Sequence, residues 1–340
     1  MNTDEKHVYR YIPQVITEAW SSDGSTVDYI EHNDDALYST PAAEAFTTDI
    51  DYDIAPDALA NTDVFDNESF TSVISALAAG DSPLPGRPDY WTIMLLLSEF
   101  YSNPFSFGRY DSILSESMKG VKNTRENVEK VSEEVKRKLS GKMTASELIT
   151  LRRNAVFAVP YLFDLTPAIL SSSEGDSFIL ASDPLLLFNP LFPGRTNSID
   201  TPFHSNGTVL MMPLTPQRML CLYDRNVYRL MSRVLSHEDT VLFNRITFLS
   251  SPVSVVKDYE TRDKSSLKGE GNPYLMTNDY NPSVFGIRAR SVEMERDGVR
   301  PYCAELSQFD TLYFTRSLER TPAKEALEKR IDYAVSLLSR

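Results

Sequence analysis

Apolar positions along this chain change their period several times, and each change predicts a different element. Ile12, Ile16 and Trp20 recur every four residues, the spacing that turns one side of a helix toward a core. After the turn Ser22-Asp23-Gly24-Ser25, the run Val27-Asp28-Tyr29-Ile30 predicts a short strand. From Asp34 to Pro88 the chain is rich in Pro, Asp and Ala, with Phe46, Tyr52, Phe65 and Phe70 as apolar anchors, so irregular structure with short helices is expected. Asp89 is placed to cap a helix starting at Tyr90 and apolar nearly all round, hence buried. Lys122 to Lys138 is highly charged, and Val128, Val131, Val135 and Leu139 form a narrow stripe there. This predicts an exposed amphipathic helix or one arm of a helical hairpin, closed by Gly141. Thr144 and Glu147 make a capping-box pattern for a helix through Val159, stopped by Pro160.

Around residue 177 the pattern turns to β. Phe178 to Leu180, Leu185 to Phe188, Val209 to Met212 and Met219 to Tyr223 are short runs separated by Pro, Gly and Asn, with Asn206-Gly207 a strong turn dipeptide. One helix is expected from Asn226 and another from His237, where Leu242, Ile246 and Leu249 share a face. Pro252 to Lys257 reads as a strand, Thr261 to Pro273 as a polar loop or lid, and Thr321-Pro322 opens a C-terminal helix. The fold class is therefore α+β, a small antiparallel sheet at about 177–257 packed with helices before and after it. The organisation expected is an N-terminal acidic segment at 1–88 packed on the body, a helical region at 89–160 and an α+β region at 161–340, or one domain overall.

Charge changes this picture more than composition does. Of the net −14, residues 1–85 contribute 17 Asp and Glu against Lys6 and Arg10, or −15, which leaves about +1 for the rest. Such a surface opposes nucleic acid and attracts basic partners; DNA mimicry is the sharper reading and a solvated, solubilising face the plainer one. Only Cys221 and Cys303 occur, without ligand spacing, which fits a reducing compartment and no structural zinc. No apolar run is long enough to span a bilayer and no basic-then-apolar leader opens the chain, so a cytoplasmic location is expected.

Motifs that carry chemistry are sparse. There is no G-x-S-x-G, H-E-x-x-H or C-x-x-C, and Ser140-Gly141-Lys142-Met143 fails as a phosphate loop because Lys136 and Met143 stand where Gly and Ser or Thr are needed. His7, His32, His204 and His237 are scattered; neither a metal centre nor a cofactor is expected. Two features remain. Asp183 lies among apolar residues, where a carboxylate needs partners. Arg225, Arg229 and Arg233 recur every four residues, with Arg218 upstream, and on a helix would form an anion-binding face; the plainer reading is a solvated face paired with acidic neighbours.

Five phrases in order carry a family resemblance: Tyr11-Ile12-Pro13-Gln14 leading to Ile16 and Trp20; Ser98 to Phe107 with Asn103-Pro104-Phe105; Ser182-Asp183-Pro184; Pro213-Leu214-Thr215-Pro216; and Leu242-Phe243-Asn244-Arg245. Together they resemble the domain of unknown function 4238 family of bacterial, phage and fungal proteins. Arg10 stands where that family's opening phrase usually places histidine. The resemblance implies no established substrate, cofactor or reaction. It does mark Asp183, Gln14 and Asn244 as candidate catalytic residues. Each also has a structural reading: Asp183 in a turn, Gln14 as a helix cap, Asn244 satisfying a strand end. Convergence of the three in space would mark a site.

Two functions compete on these grounds. The first is a non-enzymatic binding or regulatory protein of a bacterium or phage, engaging a protein partner through the acidic N-terminal region and no membrane. The second is a metal-dependent hydrolase or nuclease on a phosphorylated or nucleic-acid substrate, using Asp183, a second carboxylate and an arginine clamp.

Overall fold

A computed structural model of the chain describes residues 7–31, 37–51, 53, 68–80, 87–105, 143–188, 203, 207–251, 253–256 and 283–287. The helix expected over 122–139, the segment 261–273 and the C-terminal helix from 321 lie outside these residues. The first described element is a strand, β1 (His7–Arg10), followed by a short helix, α1 (Gln14–Glu18), that starts behind Pro13. Ile12, Ile16 and Trp20 are buried together, although only Ile16 lies in the helix itself. Three strands come next: β2 (Thr26–Glu31), β3 (Leu37–Pro41) and β4 (Thr47–Asp51). The last two replace part of the irregular structure expected after residue 34. Their ladders form with partners remote in sequence, which local composition does not reveal.

Two helices follow, α2 (Glu68–Ala79) and α3 (Tyr90–Tyr101). Asp89 caps α3 as expected, Oδ1 accepting from the Thr92 N–H at 2.9 Å, and every residue of α3 from Thr92 to Phe100 is buried. Strand β5 (Met143–Thr144) runs straight into α4 (Ala145–Ala158), whose capping box is closed on both sides: Thr144 Oγ1 accepts from the Glu147 N–H and Glu147 Oε2 accepts from the Thr144 N–H. Pro160 falls in a single tighter turn, Val159–Tyr161, that ends the helix. The remaining elements are β6 (Thr166–Ser171), β7 (Leu180–Ala181), β8 (Leu186–Phe188), β9 (Val209–Thr215), β10 (Arg218–Tyr223), β11 (Tyr228–Leu230), α5 (His237–Ser250), β12 (Val253–Val256) and β13 (Phe285–Ile287).

The class is α+β, but the one sheet expected at 177–257 is divided. Strands β6-β10-β9-β8 form one antiparallel sheet, while β7 and β12 join the N-terminal hairpin in a second, ordered β3-β2-β12-β7. Among the described residues β1-β4-β5 and β11-β13 make two smaller sheets, and β4-β5 is a parallel pair. Strand β9 is buried on both faces, which accounts for its unbroken run Val-Leu-Met-Met-Pro-Leu. Pro213 sits beside the register shift that separates Arg218 from Met219 in the β9-β10 ladder, a place where a missing N–H is tolerated. One apolar cluster runs from Tyr9 to Phe285 and takes in both larger sheets and all five helices α1 to α5. No helix among the described residues is long and apolar enough to cross a membrane.

Candidate functional site

The arginine face does not form. Where a helix was expected from Asn226, the chain makes a turn and then strand β11, paired with β13. The cause is Asp224, whose buried carboxylate accepts the Gly207 N–H through Oδ2 and the Asn226 N–H through Oδ1, each at 2.9 Å. An Asp that binds its own backbone two residues on forms a turn in place of a helical start. Arg225 is left in the turn, Arg229 on a strand between buried Tyr228 and half-buried Leu230, and Arg233 in a bend, all three exposed. Spacing by four, which shares a face on a helix, has no such meaning across a turn and a strand.

Arg218 has a different task. Its guanidinium donates to the Ala78 carbonyl at 2.6 Å, holding the C-terminal end of α2. Gly80 follows that helix with φ of 73°, and a Cβ placed there would come within 2.7 Å of the guanidinium carbon. The helix end therefore needs glycine for its left-handed backbone, with the flexible tip of Arg218 packed over it.

The three residues marked by the family phrases are separated in their bonding. Gln14 is exposed, accepting from Arg10 and donating to Glu18 Oε1 at 2.6 Å; the N-cap position itself is Pro13. Asn244 on α5 is buried and embraces the approach to β7: its Oδ1 accepts the Ile179 N–H at 3.0 Å and its Nδ2 donates to the Ser177 carbonyl at 2.8 Å. Asp183 is buried, and its N–H donates to Ser251 Oγ at 2.9 Å.

What the phrases share is the segment 177–183. Trp20 Nε1 donates to the Phe178 carbonyl at 3.1 Å, and the Phe178 N–H donates to the Pro216 carbonyl at 2.7 Å. Asn244 holds Ser177 and Ile179, and Asn103 Nδ2 donates to the Ser182 carbonyl at 2.7 Å. Each of the five phrases thus either supplies this segment or binds its backbone. An extended segment with only two residues in a ladder must satisfy its remaining buried N–H and C=O groups elsewhere, and these side chains do so.

At the inner end of this segment lies a residue that the sequence reading passed over, Glu99. It is fully buried near the end of α3, and Asn103, one turn later, donates to its Oε2 at 2.8 Å while accepting the Phe105 N–H at 2.8 Å. Burial pushes the Glu99 carboxyl well above its usual range; the Asn103 hydrogen bond opposes the rise and the negative charge of Asp183 adds to it. Glu99 Oε1, Ser98 Oγ and Ser102 Oγ are buried without a hydrogen-bond partner. The signal was present: one acidic residue in a helix otherwise apolar all round, with an amide four positions on. Among the described residues no three of His, Cys, Asp and Glu gather to hold a metal ion.

Elsewhere the titratable groups serve turns and helix starts. Asp23 accepts from the Ser25 and Thr26 N–H groups, which hold it well below the usual carboxylate range. His237, exposed at the start of α5, has its pKa raised by the Asp176 carboxylate 3.0 Å from its Nδ1. Burial pushes the Cys221 thiol up, so it is an inert core residue.

The acidic surface has a definite frame. Glu18, Asp23, Asp28, Glu31, Glu44 and Asp49 are all exposed, around β2, β3 and β4. Among the described residues β3 is the end strand of its sheet, with Leu37 and Tyr38 among the exposed large apolar side chains. Its inner side is well held: Tyr29 and Tyr38 stack across the β2-β3 pair at 5.4 Å, and Ser39 Oγ donates to Asp28.

No curated protein and no solved structure gives a significant match to the chain. A family model does. Residues 110–259 match the family described as Protein of unknown function (DUF4238), a span holding the Ser182-Asp183-Pro184, Pro213 to Pro216 and Leu242 to Arg245 phrases and bearing out the DUF4238 resemblance.

Proposed function

We propose that this chain is a binding protein that engages a basic, extended protein segment on its acidic N-terminal sheet. The observation that carries the reading is a net −15 in the sequence of residues 1–85, together with exposed Asp28, Glu31, Glu44 and Asp49 around the end strand β3. A second consideration is that the buried polar residues of the family phrases are accounted for by stitching segment 177–183. An end strand offers backbone N–H and C=O groups to an added strand, and acidic side chains on the neighbouring strand and loop select lysine and arginine in what is added. Charge of one sign around such an edge also speeds encounter and rejects acidic competitors. A regulatory role would follow from the identity of the partner.

The test is fluorescence anisotropy with a labelled peptide of alternating lysine and valine, and with a glutamate and valine peptide as control. The lysine peptide should bind at low salt and weaken as the screening length falls from about 10 Å at 0.1 M to about 3 Å at 1 M. Reversing Asp28 and Glu31 to lysine together should weaken it several-fold, since exposed charge pairs contribute about 0.2–1 kcal/mol each. Equal binding of both peptides, or affinity independent of salt, would overturn the reading.

A further inference from the structure

We propose that the segment joining β3 is selected by two residues on one of its faces: a lysine or arginine opposite Ser39, its charge resting on Asp28, and an apolar residue opposite Leu37. This pattern presupposes that β3 is the binding edge and adds what the incoming segment must carry. The β2-β3 ladder fixes which backbone groups are on offer. Ser25 and Ala42 stand next in register beyond Thr26 and Pro41, and the Ala42 N–H donates to the Ser25 carbonyl at 2.8 Å. Residues of an antiparallel pair alternate between bonding to the partner strand and facing away from it. Tyr38 and Thr40 therefore bond to β2, while Leu37, Ser39 and Pro41 turn their backbone outward. Pro41 has no N–H to give, so the edge offers both donor and acceptor at Leu37 and Ser39, and an added strand stops at the proline.

The side chains at those two positions differ in kind. Leu37 and Ser39 lie opposite Ile30 and Asp28, so all four share one face of the sheet. Ser39 Oγ donates to Asp28 Oδ1, which turns the carboxylate toward β3, and both residues are exposed. Among the described residues no cation pairs with Asp28. A residue opposite Ser39 on an added strand is two strand spacings, about 10 Å, from Asp28. Serine is short, so the stem of a lysine or arginine lies across it and brings the charge to the carboxylate, whereas a short side chain falls short and an acidic one is repelled. Leu37 is 39 % exposed although it stands against buried Ile30, and an apolar side chain opposite it covers that surface. Both requirements hold for either direction of the added strand, because they concern two residues on one face.

The experiment compares two labelled peptides of one composition and charge by fluorescence anisotropy with the full chain at low salt. Repeats of Lys-Thr-Val-Thr set lysine and valine alternately on the same face of a strand; repeats of Lys-Val-Thr-Thr set them on opposite faces, so no register places lysine opposite Ser39 and valine opposite Leu37 together. The first peptide should bind several-fold tighter than the second, and Leu37→Thr should remove most of that difference. Asp28→Asn should weaken the first peptide more than Glu44→Gln, which removes the same charge away from the β2-β3 pair. Equal affinity for the two peptides, or equal losses from Asp28→Asn and Glu44→Gln, overturns the pattern, while salt-sensitive binding of both leaves the preference of β3 for basic segments standing. If neither peptide binds but the alternating lysine and valine peptide does, the pattern alone is overturned; if none of the three binds, both readings fall.

Discussion

Replacing Asn103 with leucine is expected to lower the unfolding free energy by about 3 kcal/mol or more, read as the shift of the urea midpoint. The side chain is fully buried and serves three groups: Glu99 Oε2 and the Ser182 carbonyl take its donors, and its oxygen takes the Phe105 N–H. Leucine fills a similar volume and satisfies none of them. Leaving a buried polar group without its partner costs about 1–3 kcal/mol, and one substitution orphans three. Asn103→Asp separates shape from bonding. It keeps the oxygen for Phe105, loses both donors and sets a third carboxyl beside Glu99 and Asp183, so its deficit should be largest near neutral pH and shrink in acid. A loss below about 1 kcal/mol for Asn103→Leu would mean that the Ser182 backbone is held by something else.

Glu99→Gln is expected to do the opposite, raising stability at neutral and alkaline pH. The sign follows from the raised pKa. Above the ordinary glutamate value of 4.5 the unfolded chain releases the Glu99 proton while the folded chain keeps it. Stability from this group is therefore complete below that value and falls as pH rises toward the folded pKa, by about 1.4 kcal/mol per pH unit. Glutamine has no proton to lose, and its oxygen still accepts from Asn103. Unfolding curves for both proteins between pH 4 and 9 should converge at the acid end and separate upward; parallel curves would show that Glu99 ionises in the folded state as it does in the unfolded one.

Much of the helical architecture was legible because its signals are local. Asp89, Thr144 and Glu147 make caps within one turn, and their hydrogen bonds are those the residue types suggest. The strands were harder. Strand β1 pairs with β4, β2 with β12, and β11 with β13, so each is fixed by a partner absent from its own neighbourhood. The β11 case misled most, because arginines at every fourth position imitate a helix face, and the decisive residue was Asp224 just ahead of them. Asp183 is buried, with its N–H donating to Ser251 Oγ. Its neighbour Glu99 was missed because the end of an apolar helix is an ordinary place for an acidic residue that reaches solvent, and only the burial of the whole turn makes this one unusual. Asn244 looked like chemistry; its amide, like that of Asn103, is satisfied by the 177–183 segment and its surroundings.

The claim that the N-terminal sheet is the working surface is tested most directly by backbone amide hydrogen exchange with and without the lysine and valine peptide. Strand addition protects the amides of the strand it joins. The account predicts new protection over β3, Leu37–Pro41, that disappears at high salt and in the Asp28 and Glu31 reversal variant. Binding that leaves β3 unprotected, or that protects residues outside the acidic surface, would contradict it.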